Sequence, residues 1–260
     1  MNAREIVQKI RENLGIPWQE KTFRDTFKIG NPEVEVKGIA VTCMATLEQI
    51  QRAHAAGLNM IITHEPTFWS DAENTDLSAD PIYRHKSGYC LKNDIVIWRY
   101  HDHLHARKPD VIVAAALRRM GFQLDQSQVQ GLPTFAIPET TLAELASRVG
   151  KGLKSHAYRV VGDPAAKVSR IAFGVGGGMP RFSENVDVVF TGEGQEVGGA
   201  DNAGYALDAV SLGLAKGFIL MGHIVSEEPG MEDVVPWLQT FLPDLPIQFV
   251  PAHELFWDLR

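Results

Sequence analysis

The run Met60-Ile61-Ile62-Thr63-His64-Glu65-Pro66 places the tightest limit on how this chain folds. Four apolar or β-branched residues behind Gly57 are too few for a core helix and predict a buried strand of an α/β sheet. Proline has no amide hydrogen for a central ladder, so the strand ends at or before Glu65. Open α/β sheets bind ligands at the carboxyl ends of their strands, where His64 and Glu65 then stand. Taken alone, the pair fits better a histidine bonded to backbone beside a solvated carboxylate.

The pattern recurs. Ile95-Val96-Ile97-Trp98 runs into Tyr100-His101-Asp102-His103-Leu104-His105; on an extended backbone His101, His103 and His105 share one face. Val186–Phe190 leads to Thr191-Gly192-Glu193, and Phe218–Met221 leads to Gly222-His223-Ile224-Val225-Ser226-Glu227. Helical spacing separates these strands: residues 47–56 behind a capping box of Thr46 and Gln49, 82–91, Pro109 to Met120, a helix opened by Thr141 and Glu144, and about Asp201 to Ala215. Val34 and Val36, then Ile39, Val41 and Cys43, predict a strand interrupted at Gly38. Strand, helix, strand in sequence favours parallel pairing with right-handed crossovers, an α/β class. Ala56-Gly57-Leu58 before the strand to His64 resembles Leu212-Gly213-Leu214 before the strand to His223, a weak internal duplication. Gly174-Val175-Gly176-Gly177-Gly178 lacks the spacing and the lysine of a phosphate loop, and is expected to let backbone approach something closely.

With 260 residues and 45% hydrophobic content the chain can bury a sizeable core. A net charge of -7 and no dense Lys/Arg run argue against a nucleic-acid partner. No stretch has the length of a membrane span and the amino terminus lacks a signal-peptide layout, so a cytoplasmic location is expected. The two cysteines, Cys43 and Cys90, fit a reducing compartment and are expected to be buried. Exposed-looking aromatics such as Trp18 and Phe23 suggest a homo-oligomer.

His64, Glu65, His105, His223 and Glu227 form a mixed imidazole and carboxylate set drawn from three strand ends. Imidazole suits zinc, iron, nickel or copper, while carboxylates can bridge two cations and lower the net charge of the site, so the set is expected to hold two divalent ions per chain, whether zinc, iron, manganese or nickel. A tetrahedral zinc needs only four ligands. His101 or His103, where not a ligand, is the expected catalytic proton carrier.

These motifs resemble the NIF3-like family, whose members are often named GTP cyclohydrolase I type 2 homologues. Its strand ending in His-His-Pro or His-His-Gly before an aromatic corresponds to His64-Glu65-Pro66-Thr67-Phe68-Trp69, and its His-Thr-Asn-x-Asp to His101-Asp102-His103-Leu104-His105. Its Gly-His-x-x-x-Glu is intact at Gly222–Glu227, and its Thr-Gly-Asp/Glu is Thr191-Gly192-Glu193. Glu65 stands where the family has a second histidine, and His105 where it has an aspartate. The two departures exchange a carboxylate and an imidazole. The resemblance implies two intertwined α/β halves with mixed sheets, here about 1–125 and 126–260, and a homo-oligomer, commonly a hexamer. It also implies a metal-dependent hydrolase acting on a small phosphorylated or nucleotide substrate; the alternative is a non-catalytic metal-binding scaffold.

Overall fold

The computed structural model describes residues 1–72, 75–125, 128–129, 131–182, 185–196 and 203–257. The chain divides into two compact units: Met1–Arg107 with Met231–Ala252, and Lys108–Gly230 with His253–Arg260.

The first unit opens with α1 (Ala3–Glu12), started by a capping box between Asn2 and Glu5 and burying Ala3, Ile6, Val7 and Ile10. Its sheet has the order β1-β4-β3-β2-β10, with β1 Phe27–Ile29, β2 Ile39–Thr42, β3 Met60–Thr63, β4 Val96–Arg99 and β10 Ile247–Phe249. β10, β2, β3 and β4 are parallel, and β1 runs antiparallel to β4. Every residue of β2, β3 and β4 is buried, as expected of parallel strands covered on both faces. One face carries Ala40, Ile61 and Ile97, packed against Ile50 and Ala53 of α2 (Leu47–Ala55) and Cys90 of α3 (Pro81–Lys92). Burying such a side chain is worth about 1.5–3 kcal/mol. Both cysteines are buried, and burial pushes the Cys90 thiol up to about 11.

The second unit contains α5 (Val111–Arg119), β5 (Thr134–Thr141), α6 (Leu142–Leu153), β6 (Arg159–Gly162), β7 (Lys167–Phe173), β8 (Val188–Thr191), α7 (Ala203–Ser211) and β9 (Gly217–Leu220). Its sheet order, taken from the other end, is β6-β9-β8-β7-β5. β7, β8 and β9 are parallel while β6 and β5 are antiparallel edges. The fold is therefore mixed α/β with two mixed five-stranded sheets. Helix α8 (His223–Gln239) begins in the second unit and ends in the first.

The sheets carry an internal duplication. In each, an antiparallel edge strand borders the last of three consecutive parallel strands, β1 beside β4 and β6 beside β9, so β1, β2, β3 and β4 match β6, β7, β8 and β9. The middle strands end in Thr63 and Thr191, and each threonine hydroxyl donates to a carbonyl two residues on, at Glu65 or Glu193. The Thr63 and Thr191 carbonyls accept the amides of Tyr100 and Met221. The glycine contexts had paired the His64 strand with the His223 strand. Topology moves that pairing by one: β3 matches β8 and β4 matches β9.

Other differences from the sequence reading are local. The Val34–Val36 segment is not a strand, and β1 lies instead within the preceding polar stretch. Thr46 caps α2 by position but makes no hydrogen bond to its backbone; Gln49 takes the hydroxyl contact. Pro109 precedes the N-cap of α5, which is Asp110. The expected helix start near Asp201 lies outside the described residues. The capping box at Thr141 and Glu144 is present.

Candidate metal centre

β3 delivers His64 and Glu65 just past its end, where both amides donate to the Cys43 carbonyl. β4 runs through Tyr100 to His101, the N-cap of the short helix α4 (Asp102–Ala106). The extended backbone expected here is absent. A helix puts residues four apart on one face, so His101 and His105 face together while His103 points elsewhere.

A buried carboxylate causes this turn. Asp25 accepts the amides of His101 at 2.6 Å, Asp102 at 2.9 Å and His103 at 2.9 Å. Those are the orphan donors of a first helical turn, and an anion among them also meets the helix dipole. Asp25 further accepts Nδ1–H of His103. The Nε2 atom of His103 accepts the Gln19 amide at 2.8 Å, and its ring stacks on Trp18 at 3.8 Å. With both ring nitrogens engaged and 1% exposure, His103 is a positioning residue that ties residues 18–25 to α4, not a proton carrier. Trp18 is accordingly half-buried.

His64, His101 and His105 converge, each offering a ring nitrogen within 4.8 Å of the others. The His64 and His101 rings stack with centroids 4.4 Å apart. Nδ1 of His64 donates to the Tyr100 carbonyl at 3.0 Å, and Nδ1 of His101 donates to Asp102 at 3.1 Å. Each bond fixes the tautomer that keeps a lone pair on Nε2, the arrangement of metal-ligating histidines. Burial, then the neighbouring His101 and His105, hold the His64 imidazole well below its ordinary pKa. Burial and His105 lower His101 likewise. Both rings are thus neutral near pH 7, the form that binds metal. Glu65 offers a carboxylate oxygen within 4.8 Å of a His64 nitrogen.

The surrounding shell is charged. Arg99, 1% exposed, donates Nε–H to the His64 carbonyl at 2.9 Å and binds Asp71 at 2.8 Å. Arg24 pairs with both Asp71 and Asp102, and Thr22 donates to Asp102 at 2.7 Å. Hydrogen bonds from Arg24, then Arg99, hold the Asp71 carboxyl down at about 2.

In the second unit, His223 and Glu227 lie one turn apart on α8, with Nε2 and Oε2 separated by 3.2 Å. Nδ1 of His223 meets Glu193 at 3.0 Å. Gly176 explains the glycine-rich turn: at φ +52°, a Cβ there would lie 2.0 Å from Glu227 Oε1 and 2.8 Å from His223 Nε2. Ser226 locks the turn by accepting the Gly176 amide at 3.0 Å and donating to the His223 carbonyl at 2.7 Å. Glu193 lies outside the ligand set expected from the sequence, yet it is the counterpart of Glu65, two residues past the matching threonine.

Donor chemistry and spacing fit a divalent ion. Two ligands about 2.1 Å from one ion stand roughly 3.4 Å apart in tetrahedral geometry. The His223–Glu227 pair is close to that spacing at 3.2 Å, and the three imidazole nitrogens lie within 4.8 Å of one another.

A mixed α/β protein with donors at matching strand ends is the class these features define. The family profile described as Duf34/NIF3 (NGG1p interacting factor 3) matches residues 1–254, and the chain belongs to this family. It is 22% identical over 266 residues to a GTP cyclohydrolase 1 type 2 homolog from Clostridium perfringens, covering 98% of this chain and 97% of that one. Among solved structures it resembles a hypothetical protein from Staphylococcus aureus, with TM-score 0.72, 19% identity and 96% of each chain covered. A Bacillus cereus protein related to NIF3 matches with TM-score 0.70 and 16% identity, over 100% of this chain and 98% of that one. Among the described residues no helix is long and apolar enough to cross a membrane.

Proposed function

We propose that the protein binds two divalent ions per chain and is a metal-dependent hydrolase of a small phosphorylated or nucleotide substrate. The convergence of His64, His101 and His105 carries this reading, because three imidazoles meeting at one point, His64 fully buried and His101 and His105 partly, have few structural uses. Glu65 adds an anionic donor beside them, while His223 and Glu227 supply the second set with Glu193 orienting His223. His101 is in this reading a ligand and not the proton carrier that its motif suggests.

A divalent ion held in these sets supplies Lewis-acid polarisation of a substrate oxygen and activation of water near neutral pH. The chain's own part is orientation. Tyr100 and Asp102 fix the imidazole tautomers, and the Asp25–His103 clasp aims His101 and His105. Glu193 holds His223, and Arg99 anchors the strand end that carries His64. No serine or cysteine nucleophile is required: Cys43 is buried, and the Ser226 hydroxyl is committed to backbone.

The test is elemental analysis of protein purified without chelator, beside His105→Ala and His223→Ala, followed by a turnover screen of reconstituted protein on phosphorylated small molecules. Two ions in wild type and a loss in each variant are expected, with turnover abolished by chelation. Undiminished metal in both variants refutes the ligand assignment; full metal with no turnover favours the scaffold alternative.

A further inference from the structure

We propose that the cavity lined by Phe23, Phe27, Phe68 and Tyr83 in the first unit is a slot for the planar nitrogen heterocycle of the substrate; it rests on the hydrolase reading above. The cavity measures about 410 Å³, within the roughly 300–1,000 Å³ usual for small-molecule sites. Four aromatic residues line it together with polar ones, Lys28 and Asp76 among them. Aromatic faces receive planar heterocycles by stacking, and a few polar groups fix their orientation.

Part of the wall is already built. The Phe68 ring packs 4.7 Å from Tyr83, and the buried Lys86 ammonium lies 5.4 Å over Phe68. Phe23 instead keeps 49% of its surface exposed, an apolar ring that a ligand would cover. Asp76 is an acceptor suited to a ring N–H or amino group; its Oδ1 already takes the Ser78 amide at 2.9 Å.

The walls come from the two segments that hold the imidazole cluster. Phe68 follows Glu65 by three residues. Phe23 sits between Thr22 and Arg24, which both bind Asp102, the hydrogen-bond partner of His101. A ring seated in the slot is therefore gripped by the chain segments that place the ligands, which fits a substrate whose heterocycle is held apart from the group that reacts.

Titration calorimetry of the full chain with guanosine, which has no phosphate, tests the slot, with ribose as control. Saturable guanosine binding is expected, with none for ribose. Removing the stacking ring in Phe23→Ala weakens it about tenfold, and Asp76→Asn, also at an exposed position, weakens it less. No saturable binding, or affinity unchanged in both variants, overturns the slot. Guanosine binding by a protein without turnover would sink the hydrolase reading while leaving the slot; turnover without guanosine binding would do the reverse.

Discussion

The ring of His103 and the carboxylate of Asp25 meet at 2.5 Å, Nδ1 to Oδ2, with both side chains buried. Asp25 thereby joins an imidazole outside the three-histidine cluster to the amides of a helix that presents two of the cluster's members. His103→Ala removes a hydrogen bond to a carboxylate and leaves a void beside Trp18. It is expected to cost about 2–4 kcal/mol in urea unfolding and to weaken metal binding although no ligand is altered. His103→Gln, which retains a donor, is expected to recover part of both losses.

Gly176→Ala tests the cradle of the second unit. The added methyl falls 2.0 Å from Glu227 Oε1 at a left-handed backbone position, so His223 and Glu227 are driven apart. Loss of one of two ions by elemental analysis, with circular dichroism close to wild type, is the expected outcome. Two ions retained would mean that the turn has no part in holding metal.

Glu65 and His105 both stand close to His64, and in the proposed ligand set they exchange carboxylate and imidazole relative to the motifs the sequence resembles. Neighbouring ligands act as a unit, so their substitutions should be non-additive. Glu65→His is expected to weaken metal binding, and Glu65→His with His105→Asp to restore part of it in chelator competition. Losses that simply add would separate the two positions.

Asp71 gives a pH signature. Its carboxyl is held at about 2, against 3.8 ordinarily, first by Arg24 and then by Arg99. A depressed pKa means that the unfolded chain takes up the proton first. The stabilisation is complete above about pH 4 and is lost as pH falls towards 2. Half of the side chain is exposed, so solvent screens the effect. In Asp71→Asn the unfolding free energy should decline less steeply between pH 4 and 2 than in wild type.

The buried strands were legible because runs such as Met60–Thr63 and Val96–Trp98 are apolar on both faces, a signal that needs no distant partner. The strand-end placement of His64, His101 and His223 followed from the same runs. What the sequence hid was long-range. The turn at His101–His105 is made helical by Asp25, more than seventy residues earlier, and no local pattern near the histidines reports it. The duplication was visible in repeated glycines but mispaired, because strand order in a sheet is set by pairing and not by flanking residues. β10 adds to the first sheet only because the chain returns to it after the second unit, which period-two spacing cannot announce.

In both repeats the donors on the helix after the last parallel strand are four residues apart, His101 and His105 in one and His223 and Glu227 in the other. Their separation is thus set by the helical pitch, while their chemistry is set by one side chain at the far end of the turn. With metal held as proposed, preference and architecture would be separable: an exchange between imidazole and carboxylate at position 105 or 227 would shift a site between softer and harder ions without asking the backbone to move.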